Sequence, residues 1–211
     1  SRIPKRIFAE GYDRITRRYL ALVKSMDPTV RQKYLAVLDA ALTDRARVLE
    51  LGCGAGVPIT EHLARRYRVI GLDLSPGQLD IARRCVAAAE FVRGDMAALA
   101  FAGASFDAVV AFYAIIHVPR YEHSQVLAEA CRVLRPGGLL VMTAGAGDSA
   151  DMIEEDWLGA PMFFSHFDGQ TTERLVSRAG FEIIESRDER ELEYGVPVWF
   201  RWIVARKPRQ P

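Results

Sequence analysis

The apolar run Val48-Leu49-Glu50-Leu51 passes without a break into Gly52-Cys53-Gly54-Ala55-Gly56, with Pro58 close behind. A strand that is apolar on both faces has to be covered on both faces, as in a parallel sheet wrapped by helices. The glycines let the backbone turn sharply and let a ligand approach the main chain with no Cβ in the way. Proline in the first turn of a helix is tolerated because its missing N–H would be unpaired there. The stretch therefore reads as strand, turn and helix start, the end of an α/β sheet at which ligands bind. A tight turn that binds nothing satisfies the same glycines, so the motif needs support from elsewhere in the chain.

The rest of the sequence repeats the alternation. Apolar runs predict strands over 68–72, 90–93, 106–111, 139–143, 181–184 and 198–205. Helices are predicted over 58–67, 75–86, 120–134 and 171–179. Ser75-Pro76-Gly77-Gln78 is a capping-box signature, Arg135-Pro136-Gly137-Gly138 a helix stop, and Gly180 a helix end. Two further helices come first, over 6–24 and from Asp27-Pro28 onward. Residues 145–170 break the rhythm. That stretch is long for a connection and carries Trp157, Met162, Phe163, Phe164 and Phe167, which predicts a lid over a binding pocket. The chain reads as one domain over 1–211, with a helical cap at 1–44, a ligand-binding core at 45–144, the lid at 145–170 and the end of the core at 171–211.

Composition narrows the function classes. The 28 basic and 27 acidic side chains nearly cancel, so no global field marks a nucleic-acid or membrane-surface binder. No apolar run is long enough to span a bilayer. Ser1-Arg2-Ile3-Pro4 lacks the apolar core of a signal peptide, and a start at Ser1 rather than Met reads as trimmed. Cys53, Cys85 and Cys131 are an odd, sparse set that fits reduced thiols in the cytoplasm, and their spacing matches no metal motif.

Two more features sharpen the glycine turn. Asp73 ends the second strand, where a carboxylate can accept both hydroxyls of a ribose. Gly94-Asp95-Met96 follows the third strand, where Asp95 can accept from an adenine amino group and Met96 can pack on the ring. Alone, Asp73 is equally a solvated strand end and Asp95 a helix cap. A nicotinamide enzyme shares the glycines and Asp73. Its fingerprint, however, needs glycine or alanine where Val57 stands, so the turn does not copy a pyrophosphate cradle.

The pieces VLELGCGAG, GLDLS, the GDM at Gly94–Met96, FDAVVAFYAIIHV and LRPGGLLVMT stand in order along residues 47–144. This stretch resembles the core of class I S-adenosylmethionine-dependent methyltransferases of the small-molecule type. The resemblance implies a Rossmann-like α/β fold, with helices on both faces of a seven-stranded sheet in order 3-2-1-4-5-7-6 and strand seven antiparallel. It implies S-adenosyl-L-methionine as cofactor and S-adenosyl-L-homocysteine as product. Glu50, Gly52, Gly54 and Gly56, with Cys53 in the turn, would surround the methionine part. Asp73, with Leu74 and Gln78 near it, would hold the ribose, and Asp95 and Met96 would frame the adenine. Ala111 and Phe112 would lie beside the sulfonium. An N-terminal tyrosine often closes over the cofactor in related enzymes, and Tyr12 and Tyr19 are the candidates, either of which could equally pack a helix face.

A methyl sulfonium is already activated, so the protein chiefly has to orient a nucleophile and exclude water. A base is needed only for an acceptor that carries a tightly held proton. His117, just after the fourth strand, and His166, in the aromatic insertion, are the candidate bases, and each has a structural reading as well. Tyr113, Trp157, Met162, Phe163 and Phe164 are expected to line the acceptor pocket. The position after strand four reads Phe112-Tyr113-Ala114-Ile115, not the polar-Pro-Pro-aromatic motif of base-flipping nucleic-acid enzymes, and no RNA-binding arm is attached. Arsenite methylation would need convergent thiols, which these cysteines do not offer. The expectation is methyl transfer to a small natural product or other metabolite, with no nucleic-acid or membrane partner and a homodimer permitted. A non-catalytic cofactor-binding regulator and a protein methyltransferase are the competing readings.

Overall fold

The computed structural model describes residues 2–193 and 195–209. In chain order its elements are α1 (Arg2–Ser25), α2 (Thr29–Ala41), β1 (Arg47–Leu51), α3 (Ile59–Ala64), β2 (Arg68–Asp73), α4 (Pro76–Cys85), β3 (Glu90–Arg93) and β4 (Phe106–Ala111). They continue with α5 (His123–Val133), β5 (Leu134–Gly145), β6 (Ser149–Trp157), β7 (Ala160–His166), α6 (Gly169–Arg178), β8 (Glu182–Glu193) and β9 (Val196–Arg206). The main sheet runs β3-β2-β1-β4-β5-β9-β8, with β6 and β7 paired apart from it. With that hairpin set aside, this is the 3-2-1-4-5-7-6 order expected of a methyltransferase sheet. The last strand, β9, is antiparallel to both neighbours.

Side chains alternate across the sheet, and each set meets its own helical layer. Leu49, Val109, Leu140 and Ala205 are in register and face α5 and α6. Val110, Val141 and Val204, in register one step on, face α2 and α3. On this second face the Tyr34 ring stacks on Trp202 at 4.3 Å between centroids. Helix starts follow the local chemistry. The Ser75 hydroxyl accepts from the Gln78 N–H to cap α4, and the Asp168 carboxylate accepts from the Thr171 N–H to cap α6.

Two segments differ from the sequence reading. The strand β5 starts at Leu134, so Arg135–Gly138 belong to it, and a register shift against β4 absorbs the glycines. Within residues 145–170, β6 and β7 pair as a β-hairpin, for which the sequence offers no strand prediction. Strand β6 is exposed along almost its whole length, so its sequence lacks the apolar alternation that marks a strand with one face in a core. The hairpin packs on α1 through Tyr12, Ile15, Ala160 and Met162. Two polar ties hold α1 across the carboxyl ends of the strands. Asp13 accepts from the Ser75 hydroxyl (2.5 Å) and the Gly77 N–H (2.9 Å) at the start of α4, and Arg18 donates to the Leu158 carbonyl (2.8 Å).

Trp202 is wholly buried whereas Trp199, on the same strand, is 54% exposed. Trp202→Ala is expected to cost about 3–5 kcal/mol of folding stability, and Trp199→Ala within about 0.5 kcal/mol of nothing. Denaturant unfolding of both variants checks this.

Candidate functional site

Strand β1 delivers the chain into a turn that only glycine accommodates. Gly52 and Gly54 sit at φ +71° and +52°. A Cβ on Gly52 would lie 2.5 Å from the Ala114 Cβ, so Gly52 serves packing. A Cβ on Gly54 would make only ordinary contacts, at 3.7 Å to Gln78 Oε1 and Tyr19 Cε1, so this glycine is required by its φ and not by crowding. The Gly54 N–H donates to Asp73 Oδ2 and the Ser75 N–H to Asp73 Oδ1, both at 2.9 Å. Burial pushes the Asp73 carboxyl above its usual range, and these N–H groups pull it back down. Glu50 is also buried. It accepts from the Thr60 hydroxyl at 2.6 Å, and burial pushes it up to about 8.

Two buried groups beside the turn have hydrogen-bonding capacity to spare. Gln78 is fully buried, yet neither atom of its side-chain amide has a partner. Arg31 is 3% exposed. Its terminal nitrogens reach the carbonyls of Val23 and Met26 only at 3.3–3.4 Å, and its Nε has no partner. An unmet buried donor or acceptor costs about 1–3 kcal/mol, which a polar ligand reaching into the turn would relieve. Arg31 lines a cleft with Tyr19, Glu50, Gly54, Phe112 and Tyr113.

On the other side of Gly52, Leu72, Asp73, Leu74, Asp95 and Met96 surround a narrow space of about 20 Å³ roofed by Lys5 and Phe8 of α1. Lys5 donates to Asp95 at 2.5 Å and also pairs with Glu122, so Asp95 already has a partner in this state. Beyond Tyr113 opens a larger cavity of about 340 Å³, bounded by α1, the hairpin and the end of β9. Tyr12, Tyr19, Tyr113, His117, Trp157, Phe164 and His166 all line it.

His117 joins the two spaces. Its Nδ1 lies 2.9 Å from the Phe163 carbonyl and its Nε2 lies 3.0 Å from the Tyr12 hydroxyl. A carbonyl can only accept, so Nδ1 carries the proton and Nε2 accepts from Tyr12. Burial lowers the His117 pKa to about 4, so the ring is neutral at pH 7. Tyr113 sits at φ +55°, a strained conformation for an aromatic residue. Its N–H donates to the Thr143 hydroxyl and its own hydroxyl to Glu191 (2.7 Å). His166 Nδ1 meets the Gly147 carbonyl at 2.7 Å.

Tyr19, Glu50, Cys53 and Phe112 line the cleft at the glycine turn, Asp73, Leu74, Asp95 and Met96 the narrow space beside Gly52, and Tyr12 the larger cavity. Ala111 is packed in the core beneath the turn, on the α5 side of the sheet. Met162 and Phe163 do not line the cavity. Met162 fills the seam between α1 and the hairpin, and Phe163 contributes its carbonyl to His117. Sequence reasoning missed Lys5, Arg31, Glu154 and Glu193. Arg31 had a signal, since it shares the buried side of α2 with Tyr34, Leu35 and Leu38, where a lone arginine is out of place.

Comparison with known proteins bears on the domain that carries this arrangement. Residues 48–138 match the methyltransferase domain family. A demethylmenaquinone methyltransferase of Renibacterium salmoninarum is 36% identical over 120 residues, covering 57% of this chain and 50% of that protein. Methyltransferase GfsG of Streptomyces halstedii is 34% identical over 160 residues, covering 69% and 56%. A SAM-dependent methyltransferase of Methanosarcina mazei superposes with a TM-score of 0.73 at 23% identity, over 82% of this chain and 98% of that one. The chain carries a methyltransferase domain on the fold of the class I S-adenosylmethionine-dependent methyltransferases. It spans about half the length of the curated relatives it matches. Among the described residues, no helix of this methyltransferase domain is long and apolar enough to cross a membrane.

The His117 geometry has a measurable consequence. Its folded pKa of about 4 lies below the ordinary value of 6.5, so between those values the unfolded chain takes up a proton that the folded chain refuses. Wild type should therefore lose stability relative to His117→Asn as pH falls from about 6.5 to 4. Denaturation midpoints of the two proteins across that window check the sign. Parallel curves would show that His117 is not held neutral by burial.

Proposed function

We propose that this protein transfers a methyl group from S-adenosylmethionine to a small metabolite seated in the 340 Å³ cavity. The observation that carries the reading is the pair of unmet buried polar groups, Arg31 Nε and the Gln78 amide, beside the Gly54 turn and the Asp73 carboxylate. These residues fit the cofactor's polar groups. Arg31 would take its carboxylate, Asp73 and Gln78 its ribose, and Asp95 and Met96 its adenine once Lys5 gives way. Bound there, the cofactor supplies a methyl group already activated on a sulfonium.

The chain's own work is placement. The aromatic walls exclude water and hold the acceptor, and orientation alone can supply up to about 7–11 kcal/mol in ideal cases. His117 acts in this reading as a positioning residue. Its Nδ1–H holds the hairpin, its Nε2 holds Tyr12, and its depressed pKa makes it a weak base. His166 also lines the cavity and is the rival base. A cavity of this size favours a compact ligand over a protein side chain borne on a large partner.

Two experiments test the reading. Arg31→Leu is expected to weaken S-adenosylhomocysteine binding about 10- to 100-fold while leaving methylthioadenosine, which lacks the carboxylate, unaffected. Calorimetry showing equal loss for both ligands would place Arg31 in the scaffold instead. Trp157→Ala is expected to raise the acceptor KM while the S-adenosylhomocysteine Kd holds. Parallel loss of both would mean that the hairpin stabilises the fold and does not hold the acceptor.

A further inference from the structure

The large cavity has an uneven chemistry. Its walls are aromatic. Tyr12 and Tyr19 pack edge to face at 4.8 Å, Trp157 lies 5.8 and 6.0 Å from them, and Tyr113 and Phe200 meet at 5.0 Å on the far side. Trp199 lies at the mouth with more than half its surface open. Aromatic faces carry negative potential and attract cations, most strongly when water is excluded.

The charged side chains of the cavity point the same way. Glu154 and Glu193 both line it, and among the described residues neither is ion-paired. Burial, together with repulsion from Glu191 and Glu154, pushes the Glu193 carboxyl above its usual range, the mark of a carboxylate short of a counter-charge. Strand β6 turns Met152, Glu154 and Trp157 toward the cavity and carries no basic residue. Two nearby cations are engaged elsewhere, Arg120 with Asp148 and Arg18 with the Leu158 carbonyl. Arg31 lines the cavity where it meets the cleft at the glycine turn, and its unpartnered Nε is the group that the cofactor carboxylate would take in the reading above. A negative field over an apolar mouth draws in positively charged ligands.

We infer that the acceptor is a small cation, an amine or ammonium compound, held by the aromatic walls with Glu193 and Glu154 as its counter-charges. The inference rests on reading this cavity as the acceptor site. It adds a chemical class that the fold does not dictate, since methyltransferase sheets of this kind serve neutral and anionic acceptors as well.

The test titrates protein with three probes of one shape, 2-phenylethylammonium, 2-phenylethanol and 3-phenylpropanoate, with and without saturating S-adenosylhomocysteine. Binding is followed by tryptophan fluorescence, since Trp157 and Trp199 line the cavity. The ammonium is expected to bind about tenfold more tightly than the alcohol, and the carboxylate more weakly than either. Glu193→Gln and Glu154→Gln should each erase part of that preference while leaving alcohol and S-adenosylhomocysteine affinity unchanged. Alcohol or carboxylate binding as tightly as the ammonium, no binding of the ammonium, or an ammonium affinity indifferent to both substitutions overturns the inference. Failure of S-adenosylhomocysteine to bind wild type would instead sink the cofactor reading, and the titrations without it still report the cavity's charge preference.

Discussion

The buried carboxylate of Asp73 organises the ligand-binding end of this molecule. A carboxylate removed from water needs donors, and here two backbone N–H groups supply them, one from Gly54 in the turn after β1 and one from Ser75 at the start of α4. One side chain thus fixes the distance between the glycine turn and the next helix. The Ser75 hydroxyl caps α4 and also donates to Asp13, which brings α1 onto the same point. The turn, the cap and the covering helix share one hydrogen-bonded node, so the site's floor and roof are positioned together.

A second node sets the boundary between the space beside the glycine turn and the larger cavity. His117 leaves β4 and joins the hairpin through the Phe163 carbonyl and α1 through Tyr12. The two ring nitrogens can do this only in one tautomer, and burial keeps the ring in it by disfavouring the charged form. The same residue that reads from sequence as a base is therefore placed to hold two covering elements in register. Tyr113 nearby is forced to a positive φ, and the Thr143 and Glu191 hydrogen bonds stabilise that strain, turning its ring into the cavity wall.

Charge is divided along the site. Arg31 lies where the cavity meets the cleft at the glycine turn, while the carboxylates Glu154 and Glu193 line the cavity together with its aromatic rings. A nearly neutral chain can hold such local fields because opposite charges are segregated in space and not along the sequence. Net charge says nothing about where such fields lie.

The sheet and the floor of the site were legible in the sequence because both are written locally. Apolar runs buried on two faces, the glycines after Leu51, the Ser75 cap and Asp73 at a strand end each act within a few residues of themselves. The hairpin was hidden because β6 is polar and exposed along its length, so only its partner β7 and helix α1 make it a strand. Lys5, Glu154 and Glu193 escaped notice for a related reason. Their neighbours in space lie far away in the chain, and an uncompensated carboxylate exists only once those neighbours arrive. The sequence by itself determined the sheet, its ligand-binding edge and the family. Tertiary structure alone decided which side chains meet in the cavity, the tautomer of His117 and the charge of the walls, because burial and pairing depend on contacts that no local pattern encodes.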